Sequence, residues 1–112
     1  RTQLSLRSRG WGEERVLIVG TGDVGRIVMQ KIRRSPELGY RVVGFVDDDP
    51  PKQRSRIQGL DVLGPIAELP HLASRHRIDE VILCVPSATQ AEMRRILDVC
   101  HEAKAKVKTK KK

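Results

Sequence analysis

From Arg15 the chain runs through Val16-Leu-Ile-Val19 directly into Gly20-Thr21-Gly22-Asp23-Val24-Gly25, and this junction leaves few folds open. A strand without polar alternation has to be covered on both faces. Three glycines at this spacing, followed by apolar residues at helical intervals, turn that strand sharply into a helix. Val24, Ile27, Val28 and Ile32 supply the apolar stripe of the helix, while Arg26, Lys31, Arg33 and Arg34 fall mostly on the other side. The helix should end at Ser35, because the residue before a proline avoids helical geometry and Pro36 follows.

The remaining sequence repeats the alternation of strand and helix. Arg41 to Val46 is the next apolar run, rich in β-branched and aromatic side chains, and Asp47-Asp48-Asp49-Pro50-Pro51 stops it. A polar loop from Lys52 to Arg56 leads to a short strand at Leu60 to Leu63. Gly64-Pro65 then opens a weak helix from Ile66 to His76, which Pro70 divides. Glu80 to Val85 reads as another buried strand, and Met93, Ile96, Leu97 and Cys100 mark a helix ending near Ala103; Lys106 to Thr109 forms a last strand. Such alternation predicts a Rossmann-like three-layer α/β domain with a mainly parallel sheet of about five strands. The length of 112 residues holds one core, built from Val, Ile and Leu because only one Trp, one Tyr and one Phe are present. The expected organisation is a linker over 1–14, a nucleotide-binding domain over 15–109 and a basic tail over 110–112.

A lone G-x-G-x-x-G is a weak signal, but here it follows a buried strand and opens a helix, with an acidic residue at the end of the next strand. Gly20 allows the turn off the strand, Gly22 lets the backbone approach a pyrophosphate, and Gly25 lets the helix pack close to the sheet. The backbone N–H groups of Thr21, Asp23 and Val24 then belong to a helix N-terminus that attracts phosphate. Asp47, with Asp48 beside it, stands where a carboxylate accepts hydrogen bonds from a ribose, which favours NAD(H) over its 2′-phosphorylated form. Lys52, Arg54 and Arg56 reach towards a 2′-phosphate in one reading and solvate a loop in the other. The second wall is expected at Val85-Pro86-Ser87-Ala88-Thr89-Gln90, with Pro86 and Ser87 facing the first turn. Either Ser87 with Gln90 or Thr89 with Glu92 fits a capping box there, so that these residues contact the ligand in one reading and only cap the helix in the other. The competing reading is that the glycines only make a tight turn and Asp47 to Asp49 only solvate a loop.

Several function classes recede. The net charge of +8 suggests nucleic acid until it is located. Nine of the 22 basic residues lie at the two ends (Arg1, Arg7, Arg9, Lys104, Lys106, Lys108, Lys110, Lys111, Lys112), leaving 13 basic against 14 acidic between 10 and 103. No nucleic-acid partner is expected. The apolar runs are far short of the roughly 18 residues of a membrane span. A signal peptide is not expected, and the missing initiator Met suggests a segment of a longer protein. Cys84 and Cys100 read as reduced, buried thiols, which places the chain in the cytosol. His71, His76 and His101 lack metal-ligand spacing. No nucleophilic set is visible, and the single tyrosine, Tyr40, is followed four residues later by Gly44 rather than by a lysine.

The stretches Val16-Leu-Ile-Val-Gly-Thr-Gly-Asp-Val-Gly25, Ser35-Pro-Glu-Leu-Gly-Tyr-Arg-Val-Val-Gly-Phe-Val-Asp-Asp-Asp-Pro50, Val62-Leu-Gly-Pro65 and Ile78-Asp-Glu-Val-Ile-Leu-Cys-Val-Pro-Ser87 carry a family resemblance. Over about Arg15 to Thr109 the chain resembles the Rossmann-like, CoA-binding-like domain that precedes the catalytic domain in CapD-type polysaccharide biosynthesis proteins, the nucleoside-diphosphate-sugar epimerases and dehydratases. The resemblance implies a parent with transmembrane helices before this domain and a catalytic domain after it, at the cytoplasmic face of the inner membrane, with this chain soluble by itself. Arg1, Arg7 and Arg9 would then flank the membrane on its positive side. The glycine turn, the Val-Gly-Phe strand with its acidic end and the Val-Pro turn are also similar to the NADH-sensing half of the Rex redox repressors. These resemblances imply a non-catalytic or regulatory NAD(H)-binding domain. The alternatives are part of a sugar-nucleotide-binding enzyme site, a Rex-like sensing module, or a scaffold that associates with a second copy of itself.

Overall fold

Every residue from Val16 to Val19 is at 0% exposure, the condition expected of a strand covered on both faces. In the computed structural model, which describes residues 13–52 and 55–110, these residues lie in β1 (Glu14–Val19). α1 (Asp23–Arg34), β2 (Tyr40–Val46), β3 (Arg56–Ile57), β4 (Leu60–Gly64), α2 (Leu69–Arg75), β5 (Glu80–Leu83), α3 (Gln90–Ala103) and β6 (Lys106–Thr109) follow, with short 3-10 turns at Pro36–Leu38, Pro50–Lys52 and Ile66–Glu68. The strands form one sheet in the order β3-β4-β2-β1-β5-β6. All pairings are parallel except β3 with β4. The fold is therefore a Rossmann-like α/β domain, with six strands rather than about five. The additional strand is only two residues long and lies at the end of the segment read as a polar loop.

Alternate residues of β1 serve opposite layers. Val16 and Ile18 pack with Met29, Ile32, Val42 and Phe45 under α1. Leu17 and Val19 pack with Leu69, Leu72, Ile96 and Cys100 under α2 and α3. Each such fully buried side chain contributes roughly 1.5–3 kcal/mol.

Two helices differ in detail from their sequence patterns. On α1 the buried positions are Gly25, Met29 and Ile32, while Ile27 is 62% exposed. The close approach at Gly25 rotates the contact line by one residue. The weak helix divides as expected, but Pro70 lies in the first turn of α2 after the Ile66–Glu68 turn, where a missing N–H costs nothing. Residues 1–12 with Arg1, Arg7 and Arg9, the loop residues 53–54 with Arg54, and Lys111 and Lys112 lie outside the described residues.

Candidate functional site

The carboxyl ends of β1, β2 and β5 meet at a cleft of about 530 Å³. It opens where the chain passes from β1 to β2 on one side and reaches β5 on the other, the point at which an open parallel sheet leaves a crevice. Gly20, Gly22, Asp23 and Val24 form one wall, Asp47 and Asp48 an end, and Cys84 to Ala88 with part of α3 the opposite wall. Of the residues expected at the site, Thr21 and Gly25 do not border the cleft; both are buried beneath it.

The three glycines of the turn differ in kind. Gly20 has φ +107°, and a Cβ on it would lie 2.3 Å from the Cys84 carbonyl oxygen; a Cβ on Gly25 would lie 2.1 Å from the Gly20 carbonyl oxygen. Backbone cannot yield such distances cheaply. At Gly22 a Cβ would meet nothing within 4 Å. Gly22 is also the N-cap of α1, with φ −75° and no side-chain cap. The first-turn N–H groups, which a helix leaves without internal acceptors, therefore border the cleft.

Asp47 has a task within the protein. Its Oδ2 accepts from the Thr21 N–H at 2.9 Å and from the Thr21 hydroxyl at 2.7 Å, and its Oδ1 accepts from the Asp49 N–H at 2.8 Å. Asp48 Oδ1 accepts from the Ile66 N–H at 2.8 Å. The acidic pair thus joins the loops after β1, β2 and β4. Burial opposes ionisation of Asp47, but the bonds from Asp49 and Thr21, with Lys52 nearby, hold its carboxyl below the ordinary carboxylate range. A lowered folded pKa stabilises the fold above the unfolded value, and the contribution disappears as pH falls through the folded one. Wild type and Asp47→Asn should therefore differ in melting temperature at neutral pH and converge in acid; a gap independent of pH would remove the charge from this account.

In the opposite wall, the Ala88 N–H donates to the Val85 carbonyl at 3.0 Å. The capping box is Thr89 with Glu92, each bonding the other's backbone N–H. Ser87 with Gln90 does not form it, because α3 begins at Gln90. α3 brings Glu92, named from the sequence as a capping candidate of this wall, to the cleft together with Arg95 and Ile96, which sequence reasoning missed as cleft residues. The available signal was the place of Ile96 on the apolar stripe and of Arg95 beside it, but an apolar residue there reads as core and a charge as solvated surface. Burial pushes the Cys84 and Cys100 thiols up to about 11, so both are neutral at pH 7.

One open alternative is decided and one expectation changes. Arg56 does not face the cleft; it pairs with Asp61 at 3.1 Å and donates to the Gly59 carbonyl at 2.9 Å. Tyr40 does have a lysine beside it, since Lys108 Nζ lies 3.1 Å from the Tyr40 hydroxyl. The pair comes together across the sheet, and neither residue lines the cleft. The Tyr40 hydroxyl and then the buried Glu80 carboxylate raise the Lys108 pKa. No cluster of three metal-ligating side chains occurs among the described residues.

The family model described as the CoA-binding domain matches residues 1–109. The chain is 30% identical over 86 residues to the capsular polysaccharide biosynthesis protein CapD of Staphylococcus aureus, covering 76% of this chain and 14% of that protein. The crystal structure of UDP-D-quinovosamine 4-dehydrogenase from Vibrio fischeri superposes with a TM-score of 0.79 at 31% identity, over 88% of this chain and 78% of that one. RSP, a Rex-family repressor solved in complex with β-NADH, shares the fold with a TM-score of 0.74 at 19% identity, over 91% of this chain and 49% of RSP. This chain thus spans about a seventh of the length of CapD.

Proposed function

The chain belongs to the CoA-binding domain family, and on that premise we propose that it is a non-catalytic nucleotide-binding module whose ligand is NAD(H). The observation that carries the reading is the open backbone at Gly22, beside a cleft of about 530 Å³. Small-ligand sites span about 300–1,000 Å³. A pyrophosphate would approach the backbone of Gly22, Asp23 and Val24, held by N–H groups and the helix dipole. The adenosine ribose would meet the Asp47–Asp48 end, and the other half of the dinucleotide would cross β1 towards Pro86 and Ser87. Gly20, Thr21 and Gly25 would act beneath the ligand by holding the turn. Bound NAD(H) would bring a hydride carrier to the cleft, and the chain's own residues would bind and orient it.

The binding unit in this reading is 15–109, with 1–14 as linker and 110–112 as a basic tail. The likeness to CapD supports a longer parent at the inner membrane's cytoplasmic face, in which the module reports nucleotide occupancy to a catalytic domain. Among the described residues no helix is long and apolar enough to cross a membrane. Neither Tyr40 nor Lys108 lines the cleft, which supports a binding role over a catalytic one.

Calorimetric titration with NADH, NAD, NADPH, coenzyme A and a UDP-sugar tests the reading. NAD(H) should bind at least about tenfold more tightly than NADP(H), because a 2′-phosphate would meet ionised Asp47, whose charge already engages the nearby Lys52, while Arg56 is held elsewhere. Equal affinities would reject the acidic pair as the ribose-reading element. Binding of the UDP-sugar alone would favour the second reading, part of a sugar-nucleotide enzyme site, which the similarity to the Vibrio fischeri dehydrogenase supports.

A further inference from the structure

A diphosphate ligand would enter a cleft rich in its own charge sign. The lining holds the carboxylates Asp23, Asp47, Asp48 and Glu92 and, among the described residues, one cation, Arg95. The α1 N-terminus attracts anions, but Asp23 in its first turn already draws on that field. Each phosphate adds a further negative charge. Such a ligand needs a countercharge, and Arg95 is placed to supply it.

Arg95 stands on a rigid support. The reciprocal bonds between Thr89 and Glu92, at 2.8 and 3.1 Å, fix the start of α3, and Ile96, 4% exposed, anchors the next residue in the core. Glu92 Oε1 is committed to that cap. No hydrogen bond or ion pair ties the Arg95 guanidinium to another described residue, although its charge acts on the neighbouring Glu92 carboxyl and helps to hold it below the ordinary range. A planar fork whose five donors make no hydrogen bond within the described residues is the side chain best matched to paired phosphate oxygens.

We infer that Arg95 is a specificity-determining residue that clamps the ligand's diphosphate from the α3 side, opposite the α1 N-terminus. The inference rests on the nucleotide-binding reading above and selects, within it, ligands with a diphosphate bridge.

The test is calorimetric titration of NADH into wild type, Arg95→Ala, Arg95→Lys and Arg94→Ala, at low salt and again towards about 1 M, where the Debye length shrinks to about 3 Å. Arg95→Ala should weaken binding about tenfold or more at low salt, and the loss should narrow as salt rises. Arg95→Lys should recover part of the affinity, since it keeps the charge and loses the fork. Arg94 is exposed and does not border the cleft, so Arg94→Ala should match wild type. If wild type binds NADH and Arg95→Ala binds equally well, this inference fails alone. An equal loss at every salt concentration, accompanied by a lower melting temperature, would make Arg95 structural and also overturn it. Wild type that binds no NADH would overturn both the inference and the reading beneath it.

Discussion

Gly25→Ala should destabilise the domain by about 2–4 kcal/mol, even though alanine is the better helix former by about 1 kcal/mol. The two effects oppose each other, and the distances decide between them. A Cβ on Gly25 would lie 2.1 Å from the Gly20 carbonyl oxygen and 3.4 Å from Ile18 Cγ2. The oxygen belongs to a turn whose own N–H donates to the Val46 carbonyl at 2.8 Å, so it cannot withdraw without breaking the join between β1 and β2. At about 4–8 °C per kcal/mol for a domain of this size, thermal melting should drop by roughly 10 °C or more. An unchanged or raised melting temperature would show that the helix start has room to move and that the glycine is not required for packing.

Gly22→Leu should give the opposite pattern, with nucleotide binding weakened at least about a hundredfold and the fold nearly unaffected. The φ of −75° is open to any residue, and the first atom of a new side chain meets nothing within 4 Å. Loss of glycine at an N-cap costs only about 1 kcal/mol. The leucine side chain would instead occupy the space through which a pyrophosphate reaches the first-turn N–H groups. NADH titration and a melting curve on the same preparation separate the two effects. Unchanged affinity would take the glycine turn out of the site, and a melting drop like that of Gly25→Ala would refute the steric assignment.

Several features of the fold are legible in the amino-acid sequence. The unbroken apolar run at Val16–Val19 demands a central strand, Pro36 ends α1, and the spacing of Thr89 and Glu92 offers the capping box that forms. The same local sequence misassigns Ile27, because periodicity gives a stripe but not its orientation, and the contact at Gly25 turns Met29 inward instead. Expected and observed cleft residues largely coincide because the glycine turn, the acidic strand end and the Val-Pro turn each follow a strand, and parallel strands end on one side.

The elements, their order and the sharp turn at Gly20–Gly25 thus follow from contiguous residues, since they depend on local sterics and periodicity. The pairings across the sheet do not. Thr21 and Asp47, 26 positions apart, join the turn to β2; Tyr40 and Lys108, 68 apart, meet across the sheet; and Arg95 arrives on α3 as the one cation lining the cleft among the described residues. Strand order and register, which exist only in the folded chain, set which distant side chains come within bonding distance, and neither is written in any local run of residues.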